Sequence, residues 1–249
     1  MERLADHVAL VTGASSAIGT VTVRALAAER ARVALAASPA SDCLDILAAQ
    51  IRDAGGQALP LPANLGTRAR ARALVRQVIE EWGRLDILIV ADGYDAAAGG
   101  RADGASAQPR LGQPHPAMRG LLHVTTAALS QMTHQGSGDI VMVAPVAGRV
   151  LRAGVSNLAS ARIALEVAAL CDTLRRQAGP YGVRVAVVDS SLVALESGAS
   201  GAAPSAPEAG APLAPLQAED VAATILFVLT QPLHVSINEI LIRPTDQHV

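Results

Sequence analysis

Short apolar runs alternate with longer amphipathic stretches along almost the whole chain. Residues 8–11, 33–37, 58–61, 87–90, 140–143, 183–188 and 237–242 are mostly Val, Ile, Leu and Ala. Runs this short and this apolar predict strands buried on both faces. Between them, residues 20–29, 46–51, 71–82, 118–132, 157–176 and 218–230 read as helices, with apolar positions spaced to form one helix face. Regular alternation of the two predicts a parallel, doubly wound sheet of about seven strands with right-handed crossovers and helices on both faces. Two segments break the rhythm. Residues 94–116 are rich in Gly, Ala, Asp, Pro and Gln, and residues 196–216 form a Gly/Ala/Pro/Ser tract. Such tracts bury too little apolar area to offset the entropy of ordering them, so both are expected to be flexible loops at the ligand crevice.

Composition narrows this picture to one α/β domain, Rossmann-like, spanning residues 1–249. A chain of 249 residues that is 51% hydrophobic can bury a single large core. The net charge of −2 and dispersed basic residues give no nucleic-acid footprint and no polybasic membrane patch. The longest apolar runs, such as residues 222–229, are too short to span a bilayer, and a cytoplasmic protein is expected. Cys43 and Cys171 lie far apart with no paired spacing. His7, His115, His123, His134, His234 and His248 form no ligand set, so no metal is expected.

The chemistry begins at Thr12-Gly13-Ala14-Ser15-Ser16-Ala17-Ile18-Gly19, which follows a strand and opens a helix, the context of a phosphate-binding turn. This turn resembles the TGxxxGIG turn of the short-chain dehydrogenase/reductase family, with Ala17 at the middle glycine. Residues 138–165, GDIVMVAPVAGRVLRAGVSNLASARIAL, resemble the active-site segment of the same family. The resemblance implies a catalytic Ser at Pro145, a Tyr at Leu158, a Lys at Arg162 and, counting back without gaps, an Asn at Ala117. This sequence has none of those four groups at these positions. The cofactor positions depart as well. Ala37 and Ser38 carry no charge for the adenosine ribose or its 2′-phosphate, Asn64 replaces an Asp, and Ser190-Ser191 replaces Pro-Gly. In place of the family's Asn-Asn-Ala-Gly stands Val90-Ala91-Asp92-Gly93, which sets a carboxylate near the expected phosphate path. Gly13, Ala17, Gly19 and Asp92 therefore read as a vestigial site, and no cofactor is expected to be bound.

Proton exchange with a carbinol needs a group whose pKa is brought toward neutrality, which Leu158 and Pro145 cannot supply. Arg162 stays protonated and has no phenol to tune. The assembly surfaces look better kept. In the family, two helices and the last strand meet neighbouring subunits. Here those elements offer Met118, Leu122 and Leu129, then Ile163, Val167, Leu170 and Leu174 interleaved with alanines, and Ile240. The resulting expectation is a catalytically inactive homologue serving as structural or regulatory subunit of an NAD(P)-dependent alcohol dehydrogenase. Its partner would be an active paralogue in a hetero-oligomer, a heterotetramer, such as the hydroxyacyl-CoA dehydrogenase of anaerobic toluene (benzylsuccinate) breakdown. The alternatives are a ligand-binding sensor and an oxidoreductase with atypical acid/base residues, Tyr94 being the candidate phenol.

Overall fold

The first strand, β1 (Val8–Thr12), shows how the chain divides its apolar residues. All five positions are buried; Val8 and Leu10 face one helical layer, Ala9 and Val11 the other. A strand with apolar side chains on both faces is stable only in the middle of a three-layer structure. The computed structural model describes residues 3–37, 42–92, 116–145, 158–190 and 216–245, without the side chains of 116, 117, 145 and 158–162. After β1 come α1 (Ala17–Ala28), β2 (Arg32–Ala37), α2 (Asp42–Asp53), β3 (Gln57–Pro62), α3 (Arg68–Trp82) and β4 (Ile87–Val90). The second half adds α4 (Pro116–Gln135), β5 (Gly138–Pro145), α5 (Leu158–Ala178), β6 (Val183–Ser190), α6 (Ala218–Leu229) and β7 (Glu239–Ile242).

The seven strands are parallel and ordered β3-β2-β1-β4-β5-β6-β7. The order reverses between β1 and β4, and the crevice outside the strand ends at such a switch point is where doubly wound folds bind ligands. Helices α1, α2 and α6 cover one face through Val23, Leu26, Leu44, Leu47, Val221 and Ile225. Helices α3, α4 and α5 cover the other through Leu74, Val78, Leu121, Val124, Val167 and Cys171. Among the described residues no helix is long and apolar enough to cross a membrane, and no three His, Cys, Asp or Glu side chains group as a metal site.

Three expectations need correction. Pro116 is the first residue of α4 and not part of a loop, as suits a residue with fixed φ and no amide proton to lose. Leu216, placed at the end of the second loop, is buried just ahead of α6. The last strand begins at Glu239, two residues later than Ile237; the Asn238 carbonyl already accepts the Val187 amide at 3.0 Å. The remaining residues of the two expected loops lie outside the described residues.

The edge of the sheet where strands begin is closed by charged side chains. Asp86 accepts the Val8 amide at 2.9 Å and both Arg84 Nε and Nη2. Gln135 brackets Leu85, accepting its amide at 3.0 Å and donating to its carbonyl at 2.9 Å. Arg184 grips Asp139 with two bonds of 2.6 and 2.9 Å and caps the carbonyls of Gln231, Pro232 and Val235.

Candidate functional site

The opposite edge, where strands end, carries the glycine turn between β1 and α1. Gly13 has φ +67°, and a Cβ there would lie 2.4 Å from the Ala91 carbonyl oxygen and 2.5 Å from the Asp92 nitrogen. A Cβ on Gly19 would lie 2.0 Å from the Gly13 carbonyl oxygen. Both positions therefore require glycine for backbone reasons alone, which accounts for their presence whether or not a ligand binds. Ser16 caps α1, its hydroxyl accepting the Gly19 amide at 3.0 Å while donating to the Ala91 carbonyl at 3.0 Å. Ala17 opens the helix and is exposed at its mouth.

Asp92 is the charged residue at this turn. Its carboxylate accepts the Thr12 hydroxyl at 2.5 Å. Burial pushes its pKa above the ordinary range, while the Thr12 hydrogen bond pulls the other way. No cation among the described residues forms an ion pair with it. At the end of β2, Ala36 and Ala37 are buried and uncharged. Asn64 sits after β3 and spends its side-chain oxygen on the Gly66 amide at 2.9 Å. The backbone of the turn thus fits the pyrophosphate of a nicotinamide dinucleotide, and the charge beside it does not.

The positions at which the resemblance puts catalytic groups reach the same edge by topology. Pro145 ends β5, in register with Ser190 on β6. Leu158 and Arg162 lie in the first turns of α5, and Ala117 in the first turn of α4. The side chains of these four lie outside the described residues, as does Tyr94. Ser190 is buried, and Ser191 lies outside the described residues.

Two signals escaped the sequence reading. The chain contains no lysine, all 20 of its Lys+Arg total being arginine, so the family's lysine is absent everywhere and not merely displaced. Asp189, a lone acid after the apolar run of β6, is buried at the carboxyl edge next to Ser190. Tyr181, the other tyrosine of the chain, is expected from the sequence in a loop before the sixth strand and away from the crevice; it stands in a 3-10 turn after α5 and is 53% exposed. It precedes β6, and a helix as long as α5 spans roughly 30 Å, so Tyr181 is at the wrong end of the sheet for chemistry in the crevice.

The interface candidates divide. Ile163, Val167, Leu174 and Met118 are buried against the chain's own sheet, so the stripe expected to face a neighbour is largely internal core. That stripe repeats at the spacing of an inward helix face, which by itself cannot tell the sheet from a partner. Leu129 and Leu170 are partly buried against the same core, and Ile240 is partly buried on the other layer. Among the described residues, Leu122 on α4 and Leu165 on α5 are the large apolar side chains exposed on these two helices, at 48% and 65%.

Comparison with known proteins gives this architecture a family. The model of a family described as short chain dehydrogenase matches residues 7–201. The glycine betaine reductase ATRR of Emericella nidulans is 31% identical over 99% of this chain, which spans only 19% of that protein. A 3-oxoacyl-[acyl-carrier-protein] reductase of Synechocystis is 29% identical over 93% of this chain and 92% of its own length. The solved alcohol dehydrogenase of Thermococcus sibiricus, complexed with 5-hydroxy-NADP, superposes with a TM-score of 0.75 over 98% of both chains at 21% identity, a likeness of fold.

Proposed function

Because the chain belongs to the short-chain dehydrogenase family, we propose that it is a member without catalytic capacity of its own, acting as the structural or regulatory subunit of an NAD(P)-dependent alcohol dehydrogenase of the hydroxyacyl-CoA type. One observation carries the reading. The fold brings the end of β5 and the start of α5 to the edge that bears the glycine turn, and the sequence puts Pro145 and Leu158 there. Hydride transfer at a carbinol leaves a hydroxyl proton that a nearby base must take. Proline and leucine have no proton to exchange, the chain has no lysine, and Tyr181 stands beyond the far end of α5.

A chain of this kind keeps its value through its surface. Leu122 and Leu165 give α4 and α5 exposed apolar side chains outside the core stripe, and an active paralogue with the same two helices is the partner that matches them. The test is co-purification from the native host. A second dehydrogenase-like chain should come with this one, and the isolated chain should oxidise no secondary alcohol with NAD or NADP. Turnover by the isolated chain that disappears in Tyr94→Phe would replace this reading with an active enzyme of atypical chemistry. A monomer alone in cell extract would replace it with a sensor.

A further inference from the structure

We infer that Asp92 by itself keeps dinucleotides out of the crevice, its carboxylate being fixed by the Thr12 hydroxyl beside the Gly13–Gly19 turn. The inference rests on the non-catalytic reading and goes further, because it assigns the block to one removable group.

The departures at this site are of two kinds. Ala17, Ala37 and Ser38 are neutral, so they withhold favourable contacts or add a methyl at an exposed helix mouth. Asp92 differs in kind, because a carboxylate opposes an incoming pyrophosphate outright. The turn behind it is otherwise ready. Gly13 and Gly19 hold the tight backbone approach, and Ser16 has spent its hydroxyl on Gly19 and Ala91. The amides of Ala17 and Ile18, in the first helical turn, have no preceding helical carbonyl to bond and point toward the helix mouth.

The carboxylate cannot readily swing aside. Thr12 holds Oδ2 at 2.5 Å, and the Asp92 nitrogen lies so close to Gly13 that a Cβ there would stand 2.5 Å from it. Backbone and side chain are thus both fixed against the turn. No arginine or histidine among the described residues pairs with Asp92, so no ion pair neutralises its charge beside the turn.

The experiment is titration of the full chain with NADH and NADPH at mildly alkaline pH, followed by fluorescence and calorimetry. Wild type and Asp92→Glu should show no saturable binding. Asp92→Asn keeps an oxygen for the Thr12 hydroxyl, and it should bind at least about tenfold more tightly than wild type, the equivalent of about 1.4 kcal/mol. Asp92→Ala, which removes the group altogether, should behave alike and serves if the asparagine variant misfolds; thermal scans of each variant report folding. No gain in either folded variant overturns the assignment to Asp92 and leaves the non-catalytic reading standing. Wild type binding as tightly as Asp92→Asn overturns the block itself. Binding by Asp92→Asn with no alcohol oxidation is the result expected if both hold, and turnover by that variant would overturn the non-catalytic reading alone.

Discussion

The two edges of the same sheet have been treated differently. Where strands begin, the main charges are matched: Asp86 serves Val8 and Arg84, and Asp139 and Arg184 clasp each other while the arginine caps four carbonyls, those of Leu229, Gln231, Pro232 and Val235. Where strands end, Asp92 has a hydroxyl for a partner, Pro145 ends β5 and Leu158 begins α5. The first edge ties the chain ends of strands and helices together, so losing a partner there strands a buried charge. The second edge is the one reserved for ligand in this topology, so losing chemistry there costs the fold little. A member of this family can therefore change side chains at the second edge with its architecture intact.

Arg184→Met tests the first edge most severely. It leaves the buried Asp139 carboxyl without its cation and uncaps the carbonyls after α6, and a loss of about 3–5 kcal/mol is expected from urea unfolding. A loss under about 1 kcal/mol would mean that this edge is no anchor. At the second edge, backbone geometry should matter more than side-chain chemistry. Gly13→Ala meets both the positive φ and the Ala91 carbonyl, and about 1–3 kcal/mol should be lost on the same measurement.

Asp92→Asn should act in the opposite direction. Burial raises the folded pKa of Asp92, so this carboxyl contributes stability that is fully present below its unfolded pKa of about 3.9 and is lost as pH rises through the folded value. The asparagine variant should consequently melt higher than wild type in alkaline solution, by about 2–4 °C for each kcal/mol, with the gap closing on acidification below about pH 4. A constant gap across pH would show that the carboxylate is not under strain. The smallest effect on stability belongs to Leu165→Glu. On an exposed site the change should stay within about 0.5 kcal/mol for the isolated chain, yet it should abolish co-purification with an active paralogue. Unaltered co-purification would move the contact away from α5.

The sheet was legible in the sequence because β1, β2, β4 and β6 are buried almost throughout, and the resulting apolar runs are bounded by turns; the edge strand β7, with no buried position, was the least legible. Helices followed from their spacing, although α1 and α2 extend beyond the apolar stretches that marked them, since caps and polar first turns carry no periodicity. The last strand was misjudged by two residues because Ile237 continues the apolar pattern while its backbone has not yet joined the ladder. At the site, the glycine turn was readable as a local pattern. The Thr12–Asp92 bond was not, since its partners are 80 residues apart and meet only through the pairing of β1 with β4. The stripe of Ile163, Val167 and Leu174 misled for a related reason: amphipathicity marks a buried face without naming what buries it.

The two cysteines, unremarkable in the sequence, make the chain easy to label at a single position. Cys171 is enclosed between α5 and β5, its Sγ 3.3 Å from the Met142 sulfur, and burial pushes its thiol up to about 12. A thiol held protonated and shielded does not react with a maleimide. Cys43 is exposed on α2, in the layer opposite α4 and α5. A fluorophore placed there would follow this chain into a complex without standing between it and a partner docked on the other face.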